Sequence, residues 1–211
     1  MNQSLPAWNN IFKSPHKYQY YDLSAPHEDM AQVADVFKKN QVQKILDVGC
    51  GLGNNLFFLN KLGFTIEGID AALVAIEKIK NQAKVQVADF RKLPFAKNVF
   101  DAVISVQTLN HGYEEDVLRG IKEIERVLKP QGLIFITLPG RISQGKVRLY
   151  LVKTAQKVAA HTYLPTQGEE KGVSHVIFNK ELIKKYFKNF KFVDFWKDSK
   201  DYYCLVARKI Y

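Results

Sequence analysis

ILDVGCGLGNN, residues 45–55, is the stretch whose reading decides the fold. It joins an apolar strand, Lys44 to Val48, to a helix predicted from about Asn54 to Leu62 through a turn holding Gly49, Gly51 and Gly53. Glycine lets the backbone bend sharply and come close to a ligand at the carboxyl edge of the sheet, where α/β folds bind their ligands. Nicotinamide and flavin sites use a similar turn, but with G-x-G-x-x-G spacing, the third glycine standing five residues after the first. Here Gly53 stands four after Gly49 and the fifth position is Asn54, which counts against a pyrophosphate ligand.

Outward from the turn, apolar periodicity alternates between strand and helix, the pattern of an α/β layer fold. FTIEGI, ending at Asp70, reads as a second strand, with Asp70 able to cap a helix running through Lys80. Lys84 to Ala88 is a short third strand, and Phe100 to Val106 a fourth, apolar on both faces and therefore central. Val117, Ile121, Ile124 and Leu128 mark one face of a helix that Pro130 and Gly132 end, before a fifth strand at Leu133 to Leu138. A helix near Asn179 to Lys188 and strands at Phe190 to Trp196 and Tyr202 to Arg208 close the chain. Serial strand–helix units imply a parallel sheet with right-handed crossovers.

Asp70 ends its strand where a carboxylate can accept from both ribose hydroxyls, and Asp89-Phe90 offers an acceptor and a ring for an adenine. These strand ends all face one edge. Together with VADFRKLPF, FDAVISVQTLNH and IKEIERVLKPQGLIFIT, in that order and spacing, they resemble the class I S-adenosylmethionine-dependent methyltransferases, most closely the small stand-alone domains. The resemblance is strong from about Lys44 to Pro139. It implies a Rossmann-like α/β fold: a seven-stranded, mainly parallel sheet with helices on both faces and the last strand antiparallel. It also implies S-adenosyl-L-methionine as cofactor. Gly49, Cys50 and Gly51 would then meet the methionyl part, with Asp47 supporting the loop and the ammonium. Asp70 would hold the ribose, Asp89 and Phe90 the adenine, and Val106 and Gln107 would flank the sulfonium. Gln131, where the family commonly has a second glycine, lies in a turn away from the cofactor.

On the acceptor side, His111 follows the fourth strand and has an ordinary pKa suited to proton uptake near neutrality. It is the candidate base, although many such transferases need none and a histidine here can simply pack. His175 is a candidate for the opposite wall. The first residues are rich in aromatics, Trp8, Phe12, Tyr18, Tyr20 and Tyr21, which can fold over the cofactor and present ring faces to a cation. A basic stretch from Arg141 to about His161 would be the second half of that lid. If helical, it sets Val147, Leu151, Ala155 and Val158 on one stripe and Lys146, Lys153 and Lys157 on another, a basic amphipathic helix able to touch an anionic substrate or a membrane surface. The five histidines, His16, His27, His111, His161 and His175, have no partners at metal-ligand spacing, so no metal site is expected.

The 211 residues suit one domain: an aromatic arm over 1–43, a cofactor-binding core over 44–140, a basic lid insertion over 141–178, and a closing helix and strands over 179–211. No apolar run is long enough for a membrane helix and no leader is apparent, while two cysteines, Cys50 and Cys204, argue against a disulfide framework. A reducing, cytoplasmic home is therefore the expectation. Residues 141–211 hold 15 Lys/Arg against 6 Asp/Glu, and so carry most of the net charge of +10. Such a surface attracts nucleic acid, anionic lipid or an acidic substrate, but the lysines are spread as on a solvated face. The favoured function is methyl transfer to a small-molecule oxygen or nitrogen nucleophile. RNA methylation is the alternative, disfavoured because the fourth strand ends SVQT, not in an N-P-P-[YF]-type turn, and no cysteine stands where cytosine-C5 enzymes place one. A non-catalytic cofactor-binding subunit is the third reading, and nothing in the glycine turn or at Asp70 has decayed toward it.

Overall fold

Alternation along the central strands sends successive side chains into two separate cores, and this fixes where the helices lie. The computed structural model describes residues 5–18, 23–143, 146–147 and 155–211. In β1 (Lys44–Val48) Ile45 faces one layer and Leu46 and Val48 the other. In β5 (Leu128–Pro139) Leu133 and Phe135 share the side of Ile45, while Ile134 and Ile136 share that of Leu46. On the Ile45 side lie α2 (Met30–Lys39) and α3 (Asn54–Lys61), burying Met30, Val33, Phe37, Leu56 and Leu59. On the other lie α5 (Glu114–Val127) and α6 (Lys180–Tyr186), burying Val117, Ile121, Ile124, Leu182 and Ile183. Each such side chain removed from water contributes roughly 2 kcal/mol before entropy is counted.

The remaining sheet strands are β2 (Thr65–Asp70), β3 (Val85–Val87), β4 (Phe100–Ser105), β11 (Phe190–Lys197) and β12 (Tyr202–Lys209), with α4 (Leu73–Ile79) between β2 and β3. The spatial order is β11-β12-β5-β4-β1-β2-β3. Pairings from β3 to β5 are parallel, and β12 runs antiparallel to both β5 and β11. This is the mainly parallel, seven-stranded sheet that the sequence implied, with β4 at its centre. Six strands run one way and only the last in the chain opposes them.

Details of the loops agree with their sequence. Gly63 stops α3 with φ +92°, and Asn179 caps α6 by accepting from the Leu182 amide at 2.7 Å. Gln131 takes the left-handed conformation usual for glycine (φ +63°), its carbonyl accepting from the Arg208 guanidinium at 2.8 Å. Asp70 departs from expectation: α4 is capped at Ala72, and the Asp70 carboxylate instead holds the Ala72 and Gly51 amides together, at 2.8 and 2.9 Å.

No described residue of the region read as a basic amphipathic helix is helical; those residues form short strands, with bends at Arg141 and over 159–161. Ile142–Ser143 (β6) and Lys146–Val147 (β7) pair with one another, and Ala155–Lys157 (β8) pairs antiparallel with β9 (Thr162–Pro165), which also pairs with β10 (His175–Val176). Leu151 and Lys153 lie outside the described residues. A stripe of four apolar positions spread over twelve residues was too sparse to outweigh the ladder hydrogen bonds available to 155–157. Among the described residues no helix is long and apolar enough to cross a membrane.

Candidate active site

At the carboxyl ends of the parallel strands lies a cavity of about 350 Å³, within the range of a small-molecule site. Its base is the glycine turn. Gly49, Gly51 and Gly53 have φ of +79°, +50° and +80°, conformations closed to most side chains. The turn is also tight: a Cβ at Gly49 would stand 2.1 Å from the Thr108 hydroxyl oxygen.

The amides of this turn point inward. Gly49 and Cys50 both donate to the Ile69 carbonyl, at 2.8 and 2.9 Å, Gly53 donates to the Cys50 carbonyl, and Gly51 donates to Asp70. None of these donors is left to cradle a phosphate, so the structure supports the argument from spacing in its own way. Carboxylates lie beneath the turn instead. Asp47 is 1% exposed, and neither of its oxygens has a hydrogen-bond partner. Burial, and secondarily the nearby Asp70 charge, push its carboxyl up to about 8. Asp70 lines the cavity and is likewise raised by burial, against the lowering effect of the amides it accepts from. A buried carboxylate without a partner is costly, and a cationic ligand group answers that need. A group carrying an ammonium and a sulfonium fits this donor set; a pyrophosphate does not.

The other residues read from the sequence fall out as follows. Cys50, Phe90, Val106 and Gln107 line the cavity with Gly49, Gly51 and Asp70. Cys50 is a buried thiol pushed well up by that burial, which makes it inert packing. Phe90 packs on Gly120 of α5, where even a Cβ would come within 2.5 Å of the ring. Gln107 adopts φ +54°, its amide held by the Thr137 hydroxyl at 2.8 Å, and such a strained conformation at a strand end is typical of functional sites. Asp89 is not among the residues that line the cavity. Its two oxygens take the Arg91 side chain at 2.9 and 2.5 Å, and Arg91 also binds Asp116 at 3.0 Å, so Ala88 and Phe90 form the wall there.

His111 reaches the cavity wall, with its ring centre 4.8 Å from that of Trp8. Burial, then the neighbouring His175, hold its pKa well below the usual value, so the ring is neutral. His175 does not line the opposite wall; it sits behind His111, 2% exposed, their ring centres 4.9 Å apart. Its ring nitrogens face Asn110 at 3.2 Å and Glu170 at 3.3 Å. Tyr20 and Tyr21 lie outside the described residues.

The arm covers the cavity through α1 (Leu5–Lys13), which contributes Leu5, Trp8 and Phe12. It is fastened to α4 by Asn9 accepting from the Val74 amide and by Lys78 donating to the Phe12 carbonyl. Two further wall segments had no sequence signal: Leu23 to Glu28, and Asp198 to Lys200 between β11 and β12. They are tied together, Ser199 donating twice to Glu28 and His27 meeting Asp198 at 3.2 Å. Asn54 and Asn55, just past the glycine turn, anchor the first of them through the Leu23 carbonyl and the His27 amide. Two clusters of metal-ligating side chains also emerge among the described residues, His27 with Asp29 and Cys204, and His111 with Glu170 and His175. Ligands drawn from segments 59 residues apart in the second cluster and 175 in the first are invisible to local spacing.

Comparison with known proteins places this geometry. The family model described as a methyltransferase domain matches residues 46–136. Tocopherol O-methyltransferase of Arabidopsis thaliana is 32% identical over 133 residues, covering 58% of this chain and 38% of the relative. A sterol 4-C-methyltransferase of Caenorhabditis elegans is 28% identical over 137 residues, 60% of this chain and 40% of the relative. The matches thus span about two-fifths of these relatives. In fold the chain is similar to the 1,6-didemethyltoxoflavin-N1-methyltransferase of Burkholderia thailandensis, whose structure holds S-adenosylhomocysteine: TM-score 0.67, 14% identity, covering 97% of this chain and 88% of that one.

Proposed function

We propose that residues 46–136, which match a methyltransferase-domain family model, form a class I S-adenosylmethionine-dependent methyltransferase domain, and that this protein methylates a small-molecule oxygen or nitrogen nucleophile. The observation that carries the reading is the polarity of the glycine turn: inward amides above a partnerless buried Asp47, an arrangement for a cation. S-adenosylmethionine supplies, when bound, a methyl group on positively charged sulfur, open to in-line attack. Asp47 and the glycine turn would hold its methionyl end, Asp70 its ribose, and Phe90 would pack against its base.

The chain's own residues do the rest. Trp8 and Phe12 exclude water from above, which strengthens each polar contact inside and keeps a reactive nucleophile from being solvated. Val106 and Gln107 directly follow the central strand at the reaction edge, where a fixed backbone aligns the acceptor with the methyl; alignment can supply much of the rate. His111 faces the acceptor side, its ring nitrogen available to an acceptor's proton or to a cation. A cavity of about 350 Å³ roofed by α1 suits a small acceptor better than a strand of RNA.

Calorimetry with S-adenosylmethionine, S-adenosylhomocysteine and NAD tests the cofactor. Binding of the first two and not the third is expected; preference for NAD overturns the reading. A screen for incorporation of labelled methyl groups into metabolite pools then identifies the acceptor. Salt-dependent retention on an RNA column, with label entering RNA, would instead favour the RNA alternative.

A further inference from the structure

The loop after β4 and strand β10 run antiparallel, Gly112 donating to the Ser174 carbonyl at 2.8 Å and Val176 to the Asn110 carbonyl at 2.7 Å. His111 and His175 are directly opposed in this pairing, so their side chains leave on the same side. Glu170, 3% exposed, reaches the same point from the preceding loop. One ligating atom from each of the three lies within 4.8 Å of the other two.

We infer that His111, Glu170 and His175 bind a divalent transition-metal ion of the zinc class in the acceptor-side wall of the cavity. Two imidazoles and one carboxylate form a donor set such ions prefer, and three protein ligands leave a position open for a reactant. The buried polar atoms are arranged as they would be around an ion. The Glu170 Oε1 accepts from the Tyr18 hydroxyl, leaving Oε2 without a hydrogen-bond partner, as expected of a monodentate ligand held by an outer donor. The His175 Nε2 also lacks one and faces that oxygen at 3.3 Å, about the separation of adjacent ligands on a tetrahedral ion with bonds near 2 Å. On its other side the His175 Nδ1 lies 3.2 Å from the Asn110 amide, whose own oxygen is unsatisfied. Turned over, that amide accepts from Nδ1–H and leaves the Nε2 lone pair directed at the ion.

The second cluster, His27 with Asp29 and Cys204, lacks these features. His27 Nε2 is engaged with Asp198 at 3.2 Å, and Asp29 Oδ2 accepts from the Trp196 indole at 2.8 Å. Because His111 lines the cavity and the other two ligands lie behind it, the open position faces inward. An oxygen of the acceptor, hydroxyl or carboxylate, is the group it would take. The inference rests on the methyltransferase reading of the cavity and refines the part His111 plays: the ion, not a free imidazole, meets the acceptor.

The test uses tag-free, chelator-treated protein titrated with Co²⁺, read by visible absorption, with Zn²⁺ as competitor. One equivalent giving a tetrahedral or five-coordinate band that Zn²⁺ displaces is expected. His111→Asn and Glu170→Gln should each weaken binding by about a hundred-fold or more, and His27→Asn should not. His111→Asn alters a wall residue, so it remains informative should Glu170→Gln fail to fold. No stoichiometric binding by the wild type overturns the inference, as does binding that survives His111→Asn or is abolished by His27→Asn. S-adenosylhomocysteine binding is measured on the same samples. Its retention when cobalt fails removes the ion and keeps the methyltransferase reading; its absence removes that reading separately.

Discussion

Replacing Asp47 by Asn separates what this carboxylate costs the ligand-free protein from what it gives to a bound one. In the folded chain its carboxyl titrates at about 8, chiefly through burial, whereas an exposed aspartate titrates at about 3.9. Between those values the folded state keeps a proton that the unfolded state has released. Stability therefore falls as pH rises, by about 1.4 kcal/mol per unit for this group, or about 4 kcal/mol from pH 5 to pH 8. Asp47→Asn removes that slope, so the variant should gain on the wild type at pH 8 and lose the advantage toward pH 5. A ligand whose ammonium needs the ionised carboxylate should show the opposite linkage. Wild-type affinity for S-adenosylhomocysteine should climb about fifty-fold from pH 6 to pH 8, with close to one proton released per molecule bound at pH 7. The Asn variant should bind weakly and without this pH dependence. Denaturant melts across pH, with calorimetry in buffers of differing ionisation enthalpy, measure both effects. A wild-type affinity flat from pH 6 to 8 without proton release, or an Asn variant less stable than wild type at pH 8, would refute the reasoning.

Three further outcomes follow from the same cavity. Asp70→Asn should keep the fold but only one of the two amide contacts, since its NH2 cannot accept, and should weaken S-adenosylhomocysteine by about ten- to a hundred-fold, the worth of hydrogen bonds to a charged acceptor; unchanged affinity in calorimetry removes Asp70 from the site. Gly49→Ala combines a left-handed backbone with a 2.1 Å approach to Thr108 and should lower stability by at least 2 kcal/mol on denaturant titration. Adding Thr108→Ala should recover only part of that loss, because the backbone strain remains. Of the two tryptophans, Trp8 lines the cavity while Trp196 stacks on Phe135 and donates to Asp29. Cofactor-induced fluorescence change should therefore vanish in Trp8→Phe and persist in Trp196→Phe, and the reverse pattern would mean that α1 does not cover the ligand.

The sheet was legible because its central strands are buried on both faces and carry dense apolar runs, as in Leu133 to Leu138, broken by a helix with strict 3.6-residue spacing. The cofactor edge was legible because glycines and carboxylates ending successive parallel strands must converge on one side. What escaped came from pieces with no local periodicity. Glu170 sits in a polar loop, Asp198 to Lys200 in a hairpin turn, and Leu23 to Glu28 in a connecting segment; only long-range hydrogen bonds bring the latter two to the cavity and Glu170 to the wall behind His111. Position at a strand end does not reveal a cation two residues later, so the pairing of both Asp89 oxygens with Arg91 was not legible.

The place of β12 has a consequence for how the chain is made. Strand β11 is synthesised first, yet it touches the sheet only through β12, which lies between it and β5. On the ribosome, residues 190–197 must wait with their backbone groups unmatched until 202–209 emerge and dock. A nascent chain stalled before that point exposes a sticky edge that chaperones are suited to shield.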